Sequence, residues 1–139
     1  MKATVKWVDG MMFASETGSG HAVIMDGAPE IGGRNLGPRP MEMILIGLGG
    51  CTAADVIFIL KKARQPIQDC RIEVEAERAD TVPKVFTKIH VRYVLTGGEM
   101  DPKQVDRAVN LSSEKYCSVS LMLGKAVEIT HDWVLEPAD

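Results

Sequence analysis

A long apolar segment near the middle of the chain constrains the fold more than any other feature. It starts at Pro40 and runs to about Arg64, just before Pro66. Proline suits the first position of a helix, because its missing N–H would have no partner there. At ~1.5 Å per residue the predicted helix is roughly 37 Å long. Its residues are apolar on most faces, so we expect it to be buried nearly all round. A chain of 139 residues struggles to surround such a helix alone, which predicts an oligomer.

The same segment has to be considered as a membrane span. Residues 43–60 are barely long enough for a helix that spans a membrane. Asp55 interrupts them, and a charge at that depth in a bilayer is costly. We therefore interpret the segment as the core helix of a soluble protein without a membrane partner.

Short alternating runs separated by glycine turns predict a meander of three strands at the N-terminus, at residues 2–8, 11–15 and 21–25. We expect the first strand to be half-buried, since Val5 and Trp7 alternate with polar residues. A loop without periodicity follows over residues 27–40. Loops of this length are often functional, and this one carries Arg34 and Arg39.

The second half of the chain predicts a hairpin, a helix and a last strand. Two alternating runs, 70–78 and 85–95, are typical of an antiparallel hairpin with one solvated face. Asp101 and Pro102 predict a helix start, with Gln104 completing a capping box. This helix should end before Cys117, with a turn up to Gly124 and a strand over 126–135. The order β-β-β-α-β-β-α-β, with few α/β crossovers, predicts one α+β domain over residues 1–139.

Charge and residue content exclude several classes of function. A net charge of −3 argues against nucleic-acid binding, which needs a clustered basic face. The N-terminus has no apolar signal region, and three cysteines are too few for a secreted disulfide framework, so we expect a cytoplasmic protein. The three histidines lack metal-ligand spacing and no phosphate-binding loop is present, so we expect no metal and no cofactor.

Cys51 is the first candidate for chemistry. A free cysteine is more often a small buried hydrophobe than a nucleophile. However, Gly47, Gly49 and Gly50 lie beside it, and each glycine costs up to ~1 kcal/mol inside a helix. Their number suggests that another backbone or a reactant comes close. Asp55, four residues later, lies on the same side and opposes formation of the thiolate. A cation should offset it, and the sequence leaves three candidates open: Arg34, Arg39 and Lys115.

Cys117 is the second candidate, and Cys70 is the third cysteine. The neighbours of Cys117 are polar, which suits a loop or a helix end that opens to a cleft. The alternative interpretation of Cys117 is again a buried, unreactive thiol. Cys70 begins an alternating strand, so we interpret it as structural.

Three segments carry a resemblance to a known family: GPRPMEMIL at 37–45, LGGCTA at 48–53 and EKYCSVS at 114–120. They resemble the OsmC/Ohr family of thiol-dependent hydroperoxide reductases, and the first looks most like its less-characterised YhfA-like branch. The spacing between the two cysteines fits, and the element order matches over nearly the whole chain.

The resemblance implies an intertwined homodimer with the long helices at its centre and two active sites at the subunit interface. It implies that Cys51 is the peroxidatic nucleophile and Cys117 the resolving thiol. A small-molecule hydroperoxide oxidises Cys51 to sulfenic acid, Cys117 condenses with it to a disulfide, and a dithiol reductant restores both thiols.

The chain departs from the well-characterised members at two places. They carry a glutamate ten residues before the first cysteine, where this chain has Met41; its carboxylate, Glu42, comes one residue later, turned by ~100° on a helix. They also carry an arginine in the N-terminal strand region, where this chain has none, and Arg34 and Arg39 are the candidate substitutes. The candidate site therefore comprises Cys51, Cys117, Glu42 and Arg39, with slower turnover than in typical relatives.

Two functions follow. The first is a thiol peroxidase that acts on organic hydroperoxides in defence against oxidative stress. The second is a non-catalytic homodimer that keeps its thiols reduced and binds a small apolar ligand or a protein partner.

Overall fold

A computed structural model describes residues 1–138. The strands are β1 Ala3–Asp9, β2 Met12–Thr17, β3 Ala22–Asp26, β4 Ile67–Arg78, β5 Phe86–Gly97 and β6 Glu128–Pro137, and the helices are α1 Pro40–Lys62, α2 Pro102–Leu111 and α3 Ser118–Leu123. The prediction of an α+β fold is confirmed. The chain divides into two compact units, Met1–Ile46 and a second that begins at Gly47. The prediction of a single domain stays a prediction.

The first unit contains the three-stranded meander that the sequence predicts. β1 pairs with β2 and β2 with β3, both antiparallel, so the order in the sheet follows the order in the chain. The expected half-burial of β1 is wrong for this chain: every residue of the strand is exposed, including Val5 and Trp7. The alternating pattern predicts the strand correctly, but residues 1–138 cover neither of its faces.

The loop after β3 is organised around one buried carboxylate. Asp26 is 1% exposed, and its oxygens accept backbone N–H groups from Gly27 at 2.8 Å and from Arg34 and Leu36 at 3.1 Å each. The Leu36 N–H is the largest of the causes that hold the pKa of Asp26 below its ordinary value; burial opposes this effect. A Cβ at Gly33 would overlap the carbonyl oxygen of Gly27, so the turn requires glycine there.

Helix α1 begins at Pro40, as predicted, and ends at Lys62. Its end is closed by the Gln65 N–H, which donates to the Leu60 carbonyl at 2.9 Å, while Arg64 takes a left-handed conformation. The predicted burial on nearly all faces is wrong for the single chain. Only one stripe with a spacing of four is buried: Leu48, Thr52, Val56 and Leu60.

The remaining apolar residues of α1 face outward. Ile46 is 58% exposed and Phe58 is 66% exposed. One face of a helix can pack on one layer of structure, so the other faces need a second layer that this chain does not provide. Among the described residues, α1 is also the one helix that is long and apolar enough to cross a membrane, a test that core helices of soluble proteins pass too.

The second unit is built on the sheet β4-β5-β6. β4 and β5 form the predicted antiparallel hairpin, and one face of β5 is buried at Ile89, Val91, Tyr93 and Leu95. β6 runs parallel to β5. Parallel neighbours need a long crossover, and here α2, a π-helical turn at Ser112–Tyr116 and α3 provide it. The sequence predicted a plain turn in place of α3.

The start of α2 confirms one predicted cap and corrects another. The Asp101 side chain accepts the Lys103 N–H at 2.9 Å, as expected of an N-cap. The Asp101 N–H, however, donates to the side chain of Gln65 at 2.8 Å, so the predicted capping box with Gln104 is wrong. A residue from the α1–β4 connection has taken the role of the local glutamine.

Candidate active site

Cys51 lies in the middle of α1 and is half-buried. The glycines before it leave space. Beyond its two chain neighbours and the backbone of its own helix, a Cβ at Gly47 or Gly50 would meet no atom of residues 1–138 within 4 Å, and one at Gly49 would make ordinary contact with Val74 and Ile72 at 3.7 and 3.8 Å. The close approach that these glycines suggested is therefore not found among residues 1–138.

Cys117 lies at the junction between the π-helical turn and α3. Its N–H donates to the Ser112 carbonyl at 2.8 Å, which closes the π turn, and its Sγ accepts the Ser120 N–H at 3.4 Å, which caps α3. The expected helix end is confirmed. The expected opening to a cleft is wrong for the single chain, because Cys117 is 0% exposed.

The two thiols are neighbours. Burial raises the pKa of the Cys117 thiol above its ordinary value, and hydrogen bonds from Ser120 oppose that rise. The nearby Cys51 raises it further. Thr52, the residue after Cys51, is hydrogen-bonded to Ser112, whose carbonyl accepts the Cys117 N–H, so the fold brings together two cysteines that are far apart in the sequence. A pair of adjacent, unbridged thiols has the composition of a dithiol–disulfide couple.

Cys70 has a different environment, on β4 opposite Leu95 of β5. Burial raises the pKa of its thiol to about 11, and the nearby charge of Asp69 adds to the rise. The thiolate is the nucleophilic form, so Cys70 is poorly suited to attack a substrate at neutral pH.

A chain of buried hydroxyl groups connects α1, β5 and the π-helical turn, and the sequence did not reveal it. The Tyr93 hydroxyl lies 2.5 Å from Thr52 Oγ1, which lies 2.7 Å from Ser112 Oγ, and Ser112 donates to the Asp55 carboxylate at 3.0 Å. Burial raises the pKa of Tyr93; the bond to Thr52 opposes this, and charges at Cys117, Cys70 and Asp55 add to it. The helical spacing of Thr52 and Asp55 was visible in the sequence, but the convergence of three elements was not.

The predicted residues Glu42 and Arg39 belong to the first unit. Glu42 accepts the backbone N–H of Arg39 at 2.7 Å, which is how a glutamate in the first turn satisfies the start of a helix. The Arg39 guanidinium donates to the Asn35 side chain at 3.1 Å and to the Gly37 carbonyl at 3.2 Å. Their catalytic roles stay predictions.

The other two candidate cations, Arg34 and Lys115, also have defined neighbours. Arg34 forms an exposed ion pair with Asp9 at 3.4 Å, and the Lys115 ammonium lies 5.3 Å from the ring centre of Tyr116. Within residues 1–138 no three His, Cys, Asp or Glu side chains are grouped as metal ligands.

These features define a class: small α+β proteins in which a thiol on a long helix meets a second thiol at the start of a short one. Residues 32–132 match the family model for OsmC-like proteins. The chain belongs to the OsmC-like family.

The chain is also similar to individual proteins and solved structures. Protein YhfA of Escherichia coli is 47% identical over 96% of both chains. The crystal structure of a hypothetical protein from Aquifex aeolicus superposes with a TM-score of 0.86 at 30% identity, over 99% of this chain and 97% of that one. The organic hydroperoxide resistance protein OhrB of Bacillus subtilis shares the fold, with a TM-score of 0.63 at 20% identity over 96% of both chains.

Proposed function

We propose that this protein is a thiol-dependent peroxidase that reduces organic hydroperoxides through Cys51 and Cys117. The observation that carries the proposal is the proximity of these two cysteines within the second unit, where Thr52, next to Cys51, bonds to Ser112 and the Ser112 carbonyl accepts the Cys117 N–H. The family supports it as well, since a protein of the same fold is named for organic hydroperoxide resistance.

The reaction has two steps on the protein. The Cys51 thiolate attacks the terminal oxygen of the hydroperoxide; an S–O bond forms, the O–O bond breaks, and the alkoxide takes up a proton and leaves as an alcohol. Cys51 is then a sulfenic acid. The Cys117 sulfur attacks the Cys51 sulfur, an S–S bond forms, and the hydroxyl leaves as water with the Cys117 proton. An external dithiol reduces the disulfide by exchange and returns both thiols.

The environments of the two thiols suit these different roles. Cys51 is half-buried, so a substrate can reach it. Cys117 is fully buried and its raised pKa keeps it neutral, so it is protected from direct oxidation until Cys51 has reacted. Cys70, with a pKa of about 11, lies outside the cycle.

We further propose that the protein is a cytoplasmic homodimer in which a partner subunit covers the outward faces of α1. The exposed Phe58 and Ile46 are the supporting observation, because large apolar side chains left in water on one helix favour association. The buried interface should exceed ~2,000 Å² in total, as obligate dimers require. Glu42 and Arg39 are proposed to assist the reaction of Cys51.

The test is a turnover assay on the purified protein with dithiothreitol as reductant. We expect faster consumption of cumene hydroperoxide than of hydrogen peroxide, because Cys51 lies on a largely apolar helix. Cys51→Ser should abolish turnover, and Cys117→Ser should allow a single oxidation that stops at sulfenic acid. Cys70→Ser is the matched control and should turn over normally.

The roles of the two predicted charged residues need separate variants. Arg39→Gln should lower the rate of Cys51 oxidation by about tenfold or more if the guanidinium assists it, since correctly placed charge and protonation are commonly worth ~10²-fold. Arg39→Lys retains the charge and should recover part of the rate. Consumption of no hydroperoxide by a folded wild-type dimer would instead favour the non-catalytic alternative, a homodimer that binds a small apolar ligand or a protein partner.

A further inference from the structure

The hydroxyl chain forms a short path of hydrogen bonds between the two cysteines. Thr52 is the residue after Cys51, and its Oγ1 lies 2.7 Å from Ser112 Oγ. The carbonyl of the same Ser112 accepts the Cys117 N–H at 2.8 Å. Two hydrogen bonds through one residue therefore link the helix that carries Cys51 to the backbone of Cys117.

The Asp55 carboxylate, at one end of the hydroxyl chain, defines the direction of its hydrogen bonds. A carboxylate can only accept, so the Ser112 hydroxyl proton points to Asp55 at 3.0 Å. Thr52 must then donate to Ser112, and Tyr93 must donate to Thr52. Thr52 and Ser112 are 0% exposed and Tyr93 is 1% exposed, so water cannot substitute for a lost member. Removing the central hydroxyl would leave the buried Tyr93 hydroxyl without its acceptor, and Ser112 would keep only its bond to Asp55.

The hydroxyl chain holds an unusual backbone segment. Ser112–Tyr116 forms a π-helical turn, a local geometry that often occurs at functional sites, and Ser112 is its first residue. The position of Cys117 relative to Cys51 depends on this turn, and disulfide bonds tolerate only a narrow range of separation and orientation. A shift of about 1 Å in reacting groups can cost ~10²-fold in rate.

We propose that Thr52 and Ser112, held by Asp55 and Tyr93, are positioning residues that place the Cys117 sulfur for attack on Cys51. This inference rests on the proposed function for its role in catalysis. Its geometric content, the readiness of the two thiols to form a disulfide, can be measured without any hydroperoxide.

The experiment compares two substitutions of one residue. Thr52→Val keeps the shape of the side chain and removes the hydroxyl, whereas Thr52→Ser keeps the hydroxyl and removes a methyl group. Each protein is equilibrated in buffers of oxidised and reduced glutathione, where the protein dithiol and oxidised glutathione give the protein disulfide and two reduced glutathiones. The equilibrium constant for the Cys51–Cys117 disulfide and its rate of closure are read by mass spectrometry after rapid alkylation.

We expect Thr52→Val to lower the closure rate by about tenfold or more, and Thr52→Ser to remain within about threefold of wild type. Tyr93→Phe removes only the last hydroxyl of the hydroxyl chain, so its closure rate should lie between those of the two Thr52 variants. Val105→Ala is the control for loss of stability alone. Val105 is 0% exposed on α2 and is not a member of the hydroxyl chain, so this variant should form the disulfide at the wild-type rate.

Each result decides the inference. Equal closure in Thr52→Val and Thr52→Ser would overturn it, as would a slowing in Val105→Ala as large as that in Thr52→Val. If Thr52→Val does not fold, slower closure in Tyr93→Phe supports the inference and unchanged closure overturns it. A wild-type protein that forms no Cys51–Cys117 disulfide in any glutathione buffer also overturns it. Slowed closure in Thr52→Val together with no hydroperoxide consumption by the wild type would support the inference and overturn the proposed function.

Discussion

The reactivity of Cys70 can be predicted quantitatively. In the double variant Cys51→Ser/Cys117→Ser, Cys70 is the only one of the three cysteines that remains. Its pKa is raised from 9.0 to about 11, chiefly by burial and then by the charge of Asp69. Since only the thiolate reacts, two pH units correspond to ~100-fold less reactive sulfur at pH 8 than in an ordinary thiol.

The assay is alkylation by iodoacetamide between pH 7 and 11.5, followed by mass spectrometry of the folded protein. The rate should rise with pH to a midpoint at about 11. Asp69→Asn removes the smaller cause, so the midpoint should fall only part of the way towards 9.0. In denaturant the same thiol should react at the ordinary rate, because burial is lost.

One result would refute this reasoning: a midpoint at or below pH 9 in the folded double variant. It would mean that burial does not suppress the Cys70 thiolate and that Cys70 is an available competitor for oxidation. Peroxide treatment of the wild type would then be expected to give bridges that include Cys70. The proposed cycle predicts the opposite, a Cys51–Cys117 bridge with Cys70 free.

Three further outcomes are expected. The pKa of Asp26 is lowered in the folded protein, so its contribution to stability is complete above the unfolded pKa of ~3.9 and is lost as pH falls through the folded pKa. Asp26→Asn should therefore be less stable than the wild type at neutral pH. The difference in stability, followed by circular dichroism, should shrink on acidification. Asp101→Ala removes the N-cap of α2 and should lower the free energy of unfolding by about 1 kcal/mol in urea titrations, whereas Asp101→Ser should retain most of it. Phe58→Asp should shift the assembly from twice 15.2 kDa towards 15.2 kDa in light scattering; a wild-type monomer at micromolar concentration would contradict the proposed dimer.

Much of the local structure followed from local chemistry. Pro40 and Asp101 marked helix starts because a missing N–H and a carboxylate each suit the first turn. Alternation located the β4–β5 hairpin and the inner face of β5 because its period is the geometry of a strand. Hydrophobicity identified α1 but overstated its burial, since apolar content does not say whether the covering layer comes from the same chain.

The sequence by itself therefore determined the class of fold, the positions of most elements and the two cysteines worth examining. Only the tertiary structure decided that Cys51 and Cys117 are neighbours, and that Thr52, Ser112 and Tyr93 share one buried hydrogen-bonded chain. The physical reason is separation along the chain. Caps and periodicity act over a few residues, whereas these contacts require α1, β5 and the π-helical turn to pack together, which depends on burial summed over the whole unit.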